Sequence, residues 1–244
     1  MKTLIIIPSR LSATRLPGKP LMKINGLSMI SHVFKKAEEA DIGKVIVATE
    51  DQEILDDVKK NGGHAILTKK EHKTGTDRVF EALQKLNYKN IDLIMNLQGD
   101  EPLMNLEDIR NLNDQMIKNQ SQLGTLASQI KDKVSHENEN IVKVNTKEPL
   151  NGLNFPEAIN FTRKNSKQGK NIYHHLGIYC YKVATLKKFV SYNQSANEIN
   201  SRLEQLRALD NNIKINVALA KASPIGVDTI EDFVEIKKIM EYKS

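Results

Sequence analysis

Three cations stand five and four residues apart in a loop that proline and glycine keep from becoming a helix: Arg10, Arg15 and Lys19 in IIIPSRLSATRLPGKPL, Ile5 to Leu21. Guanidinium forks, an ammonium point charge and exposed backbone N–H groups at a Gly-containing turn are the donors that hold phosphate. The loop therefore reads as a polyphosphate site, with a solvated basic turn as the competing account. It is not a Walker loop, because no Gly-Lys-Ser/Thr opens a helix. A carboxylate is offered by NLQGDEP, Asn96 to Pro102, where Asp100 follows Gln98-Gly99 directly after the apolar run Leu93–Leu97. Glycine there lets a ligand or backbone approach closely, and a carboxylate beside phosphate implies Mg²⁺. That ion takes one or two protein carboxylates and completes its octahedron with water and substrate phosphate, so a second aspartate is expected. Asp228, in GVDT, is the candidate; helix N-capping by Asp228 or Thr229 is the alternative.

Three further segments carry chemistry-bearing side chains. HKTGTDR, His72 to Arg78, leads into a helix with Gly75 and hydroxyls able to face a flat base, although capping by Thr74 or Thr76 accounts for the same residues. His174 and His175 precede an apolar strand and, being adjacent, point to opposite faces, which makes them a poor metal pair. In LEQLR, Leu203 to Arg207, the leucines form the apolar stripe of a helix, and Glu204 and Arg207 read as a surface i,i+3 ion pair.

The elements that must position these residues alternate in the first half. Strands are predicted at Leu4–Ile7, Val45–Ala48, Ala65–Leu67 and Leu93–Leu97, and helices at Ser28–Ala40, Gln52–Asn61, Thr76–Leu86 and Leu106–Asn119. Such alternation implies an α/β fold with parallel strands, right-handed crossovers and helices on both faces of an open sheet. Ligands gather at the carboxyl ends of strands in such sheets, which makes neighbours of the opening loop and NLQGDEP. The second half is less regular, with strands expected at Leu123–Ile130, Ile141–Asn145, Ala158–Thr162, His175–Tyr181 and Lys214–Ala220. Helices are expected there at Glu198–Leu209 and Thr229–Tyr242. No linker or repeat divides the chain, so 1–244 reads as one domain; the polar stretches Lys131–Asn140 and Arg163–Asn171 read as surface excursions.

Composition narrows the class. At 244 residues, 39% hydrophobic and 27% charged, the chain can bury a full core and has no run approaching the roughly 20 apolar residues of a membrane span. The apolar run near Met1 stops after four residues, short of the ~7–15 of a signal peptide, and reads as a strand. The single cysteine, Cys180, has no partner for a disulfide or zinc site, which suggests a reducing, cytoplasmic setting. A net charge of +6 could serve nucleic acid, but the lysines are scattered among acidic neighbours, with no basic-aromatic stripe for stacking bases. Neither a nucleic-acid nor a membrane partner is expected.

Taken together and in order, IPSRLSATRLPGKPL, VATED, HKTGTDR, NLQGDEP, HHLGIYCY, LEQLRAL and GVDTIED resemble the 3-deoxy-manno-octulosonate (KDO) cytidylyltransferases over nearly the whole chain. The opening loop is shared with other nucleotidyltransferases, while QGDEP, HLGIY and LEQLR together mark the KDO branch. The resemblance implies a mixed, mostly parallel Rossmann-like sheet of the glycosyltransferase-A type, with a less regular sugar-binding and dimerisation region at about 130–210. It implies a homodimer that transfers CMP from CTP to an acidic eight-carbon sugar for lipopolysaccharide assembly. By the same resemblance, Pro8, Ser9, Arg10, Arg15 and Lys19 would hold the triphosphate, and Thr74, Gly75 and Arg78 the cytosine and ribose. Gln98, Arg163, His175, Tyr179, Glu204 and Gln205 would line the sugar pocket, Gln98 and Asp100 would also contact the nucleotide, and Asp100 and Asp228 would bind Mg²⁺. An 8-amino or sialate-like sugar acid, or a catalytically silent nucleotide-binding protein, are the alternatives. Departures in FTRKNSKQGKN, Phe161 to Asn171, and SANEINSRLEQLR, Ser195 to Arg207, fall beside the sugar pocket.

Overall fold

The computed structural model of the chain describes residues 1–12, 15–130, 137–164, 170–221, 223 and 226–242. Two compact units emerge, each built from separate stretches of chain. The first comprises Lys2–Ile91, Met95–Leu106 and Pro224–Ser244; the second comprises Met1, Asp92–Ile94 and Glu107–Ser223. The division passes through a strand and the first residue of a helix, so no Pro- or Ser-rich linker marks it in the sequence.

In the first unit, β1 (Thr3–Ser9) carries Leu4 to Ile7 fully buried. A hairpin of β2 (Lys23–Ile24) and β3 (Leu27–Ser28) follows, turned by Asn25 and Gly26 at positive φ. Ser28 then caps α1 (Met29–Glu39), whose Met29, Ile30, Val33, Phe34 and Ala37 recur at helical spacing and face the core. Next come β4 (Gly43–Thr49), α2 (Gln52–Lys60), β5 (Ala65–Leu67), α3 (Gly75–Leu86) and β6 (Leu93–Asn96). Strand β1 pairs in parallel with β4, Ile5 opposite Val45 and Ile7 opposite Val47, and β4 pairs in parallel with β5. Beyond β6, Leu97 N–H donates to the Ile6 carbonyl at 3.2 Å, which sets the chain's exit beside β1. The C-terminal helix Ile230–Glu241 closes this unit, packing Phe233 and Ile236 with Ile24, Met29 and Val227.

The second unit contains α4 (Leu106–Asn119), β7 (Leu123–Ser128), β8 (Lys143–Thr146), β9 (Ala158–Thr162) and β10 (Ile172–Lys182). After these come α5 (Val183–Ser191), α6 (Ala196–Ser201), α7 (Leu206–Asp210) and β11 (Ile215–Leu219). Strand β10 runs antiparallel to β7 and β8, β8 antiparallel to β9, and β11 parallel to β7. The α/β class and the mixed strand pairing therefore hold, with parallel ladders in the first unit and both parallel and antiparallel ladders in the second. Among the described residues no helix is long and apolar enough to cross a membrane.

Two readings are corrected. The helix expected over Glu198–Leu209 is two short helices, α6 and α7, because Arg202 turns into the left-handed region at φ 52° and ends the first. Arg207 is accordingly not a surface residue: it is 2% exposed and bonded to Glu198. Helix α5 and the β2–β3 hairpin were not predicted. Of the two polar excursions, residues 131–136 and 165–169 lie outside the described residues.

Candidate active site

The opening loop is shaped by two devices. Gly18, at φ 73°, adopts a conformation that a side chain disfavours, and its N–H donates to the Leu11 carbonyl at 3.1 Å, closing the loop. A single 3₁₀ turn, Lys19–Leu21, follows with Pro20 near its start, where a missing N–H costs nothing. Asp51 fixes the other side: its carboxylate accepts from Leu11 N–H at 2.7 Å instead of capping α2.

This turn delivers the Lys19 ammonium to two carboxylates. Lys19 Nζ lies 2.6 Å from Asp100 Oδ2 and 3.6 Å from Asp228 Oδ1, so those oxygens are no farther apart than the sum of the two distances, about 6 Å. Lys19 also donates to the Val227 carbonyl at 2.7 Å, and Val227 N–H donates to the Asp100 carbonyl at 2.9 Å. Arg15 reaches the same Asp228 oxygen at 2.8 Å from solvent. Thr229, not Asp228, caps the C-terminal helix, in a reciprocal box with Asp232, and so the Asp228 carboxylate is left to face the cations. Arg10 is exposed and has no ion-pair partner among the described residues.

Glycine permits the approach that brings these segments together. A β-carbon at Gly99 would lie 3.2 Å from both the Pro8 carbonyl oxygen and Ile30 Cδ1, and one at Gly75 would lie 3.5 Å from Pro8 Cγ. Pro8, Gly75 and Gly99 thus meet at the end of β1, with the buried Ser9 and the half-buried Gln98 beside them in sequence. Thr74 caps α3, its hydroxyl accepting from Asp77 N–H at 3.3 Å. Arg78 is 3% exposed and spends its guanidinium on Glu50, on Thr68 Oγ1 at 2.5 Å and on the Lys69 carbonyl at 3.2 Å, tying α3 to the loop after β4. It holds that corner from beneath.

Two polar groups of this unit, Asn96 and Glu101, received no role from sequence reasoning. Asn96 donates to Thr76 Oγ1 at 3.3 Å while its buried Oδ1 has no partner. Glu101 has a buried, unpartnered Oε2, and burial together with the Asp100 and Asp228 charges pushes its carboxyl up to about 8. A carboxyl raised from 4.5 to about 8 contributes its stability fully below pH 4.5 and loses it as pH rises through 8. Glu101→Gln should therefore flatten the fall in metal-free melting temperature between about pH 5 and pH 9, an effect on the order of a few kcal/mol. Parallel melting curves for the two proteins across that range would show that Glu101 ionises freely.

In the second unit, Thr125 fills an irregularity of β10 between Leu176 and Tyr179. Its hydroxyl donates to the Ile178 carbonyl at 2.7 Å and lies 3.0 Å from His175 Nε2, so this network assigns the ring proton to Nε2 and leaves Nδ1 as an acceptor. Burial and the neighbouring His174 hold His175 down to about 3, and it stays neutral. Phe161 and Tyr179 flank the ring at centroid distances of 5.0 and 5.5 Å. Tyr179 is pushed well above the usual phenol range by burial, with Tyr181 and Glu204 contributing. Gln205, 5% exposed, has a buried Nε2 with no partner. Arg163 donates to the Glu139 and Asn140 carbonyls at 3.4 and 3.3 Å, and its own carbonyl accepts from the buried Lys143 at 2.9 Å.

An α/β sheet with a basic Gly-Pro turn facing one aspartate after a strand and another before the C-terminal helix defines a nucleotidyltransferase, a protein that aligns a nucleoside triphosphate and neutralises its charge. Comparisons narrow the class. The cytidylyltransferase family profile matches residues 4–215. The chain is 42% identical over 99% of its length to the 3-deoxy-manno-octulosonate cytidylyltransferase of Rhodopseudomonas palustris strain BisB18, covering 98% of that protein. It is also 42% identical to the enzyme of that name from Nitrobacter winogradskyi, over 98% of this chain and 94% of that one. A solved CMP:2-keto-3-deoxy-manno-octonic acid synthetase in complex with CTP superposes with a TM-score of 0.90 at 32% identity, covering all of both chains. A UDP-glucose pyrophosphorylase with TM-score 0.72 and 12% identity shares the fold alone. The chain belongs to the 3-deoxy-manno-octulosonate cytidylyltransferase family.

Proposed function

We propose that the chain joins CTP to the anomeric hydroxyl of 3-deoxy-manno-octulosonate, releasing pyrophosphate and forming the CMP-sugar used in lipopolysaccharide assembly. The convergence of Asp100 and Asp228 on Lys19 carries this reading, because nucleotidyl transfer asks a protein mainly for alignment and charge neutralisation. Lys19, Arg15 and Arg10 take the triphosphate oxygens, with Pro8 and Ser9 shaping the turn. Gly75 and the capped start of α3 face the cytosine and ribose, and Arg78 braces them.

Magnesium fits the donor set. Among the described residues no group of three or more metal-ligating side chains occurs. Two carboxylates are what this ion uses, however, and theirs already surround a cation. When bound there, magnesium supplies charge neutralisation at the phosphates and lowers the pKa of an oxygen it touches. The remaining work belongs to side chains: Lys19 and Arg15 stabilise charge building on the departing pyrophosphate. Arg163, His175, Tyr179, Glu204 and Gln205 bind the sugar acid, and Gln98 is assigned to substrate from the segment that carries Asp100. The neutral His175 contributes an acceptor at Nδ1 rather than a charge.

We further propose that the protein is a cytoplasmic homodimer. Its substrate is tested by pyrophosphate release from CTP with 3-deoxy-manno-octulosonate, its 8-amino analogue, sialate or no sugar. Release with the first is expected; release with sialate alone would overturn the assignment, and release with none would indicate a silent binding protein.

Arg15→Ala separates binding from folding. The side chain is 65% exposed and its pair with Asp228 faces solvent, so stability should change by no more than about 0.5–1 kcal/mol. The KM for CTP should rise about tenfold. Titration and melting experiments that lose ground in equal measure would argue against a role in triphosphate handling.

A further inference from the structure

We infer that Glu198 and Arg207 are positioning residues for the sugar acid, an inference that rests on Glu204 and Gln205 lying against that substrate. Glu204 and Gln205 belong to a turn between two short helices, and helices of six and five residues have little rigidity of their own. The turn is closed by Leu203 N–H on the Glu198 carbonyl at 3.2 Å. Arg207 and Ala208 N–H donate to the Glu204 and Gln205 carbonyls, each at 3.1 Å. Across it Arg207 donates from Nε to Glu198 Oε2 at 2.8 Å and from Nη2 to Oε1 at 2.6 Å, a two-bond clamp between side chains only 2% and 3% exposed. Glu198 is anchored in turn by the Ser195 capping box and by Gln194 Nε2 at 3.1 Å.

The clamp is also continuous, through ring contacts, with Tyr179 and His175. The Arg207 guanidinium lies over the Phe189 ring at 4.6 Å, Phe189 meets Tyr181 at 5.9 Å, Tyr181 meets Tyr179 at 6.1 Å, and Tyr179 meets His175 at 5.5 Å. A buried ion pair is a weak source of stability, since apolar residues of the same volume often do as well, but its fixed fork holds one geometry. The geometry held here is that of the turn presenting Glu204 and Gln205.

Steady-state kinetics on the full chain test this. Glu198→Gln should raise the KM for 3-deoxy-manno-octulosonate about tenfold while kcat and the KM for CTP stay within about twofold. Phe189→Leu, which keeps the pair and loosens its support, should shift the same constant less. Gln205→Ala should itself raise the sugar KM, and adding Glu198→Gln to it should cost nothing further, because both act through one contact. If Glu198→Gln or Phe189→Leu moves both KM values together in step with melting temperature, or moves melting temperature alone, the role is structural. Full additivity of the double variant would also overturn the inference. An unchanged sugar KM in Gln205→Ala would instead remove the reading of the pocket on which it rests.

Discussion

Asp100→Asn should lower kcat for CTP-dependent pyrophosphate release by on the order of 10²-fold or more, the loss expected when a principal stabiliser of transition-state charge is removed. The substitution keeps size and shape and takes only the charge. The backbone there is held independently, by Val227 N–H on the Asp100 carbonyl at 2.9 Å and by the close packing of Gly99 on Pro8, so the chain should still reach the same place. Lys19 retains Asp228 and the Val227 carbonyl as partners. Melting should therefore move by no more than about 1–2 kcal/mol, far less than the catalytic change. Turnover kept within tenfold, with melting unchanged, would mean that the carboxylate is only a counter-ion for Lys19.

Lys19→Met should be at least as damaging, for two separable reasons. Catalysis loses a cation beside the leaving pyrophosphate, costing on the order of 10²–10³-fold in kcat. The fold loses the ammonium that contacts both Asp100 and Asp228, at 2.6 and 3.6 Å, and leaves Asp228 with Arg15 and Asp100 beside the buried carboxyl of Glu101. Three acidic groups would then face one another, and the variant should be destabilised by about 1–3 kcal/mol in metal-free buffer. Added magnesium should restore more stability to the variant than to the parent, since it would enter a site whose resident cation is gone. Calorimetry in the presence and absence of magnesium measures this; equal stabilisation of both proteins would separate the metal from this pair of aspartates.

The local parts of this arrangement were legible because each has a short-range cause. The apolar runs of β1, β4 and β6 and the helical spacing of α1 to α4 follow from periodicity, and Gly99-Asp100 after an apolar strand follows from the habit of α/β sheets of binding at strand ends. Two signals could have been carried further, the second beyond naming Thr229 as a possible cap. Asn25-Gly26 is the turn pair of a tight hairpin, which β2 and β3 form, and Thr229 with Asp232 three residues on is a capping pair that frees Asp228.

What the sequence could not disclose is distance between remote side chains. Asp51 binding Leu11 N–H and Arg78 binding Glu50 span 40 and 28 positions with no period to reveal them. Glu101 is plainly an acid in the sequence, but its burial beside two aspartates is a tertiary fact. Arg207 was misread because the helical period was carried through Arg202, where the chain turns left-handed; the true partner, Glu198, lies nine residues back across that break.

Whether Asp100 and Asp228 serve one divalent ion beside the basic turn is tested most directly by diffraction from crystals holding CTP with manganese in place of magnesium. A single anomalous peak ligated by both carboxylates, with Lys19 swung onto the triphosphate, is expected. Nucleotide bound with Lys19 still locked between the two aspartates, and manganese elsewhere, would contradict a shared ion.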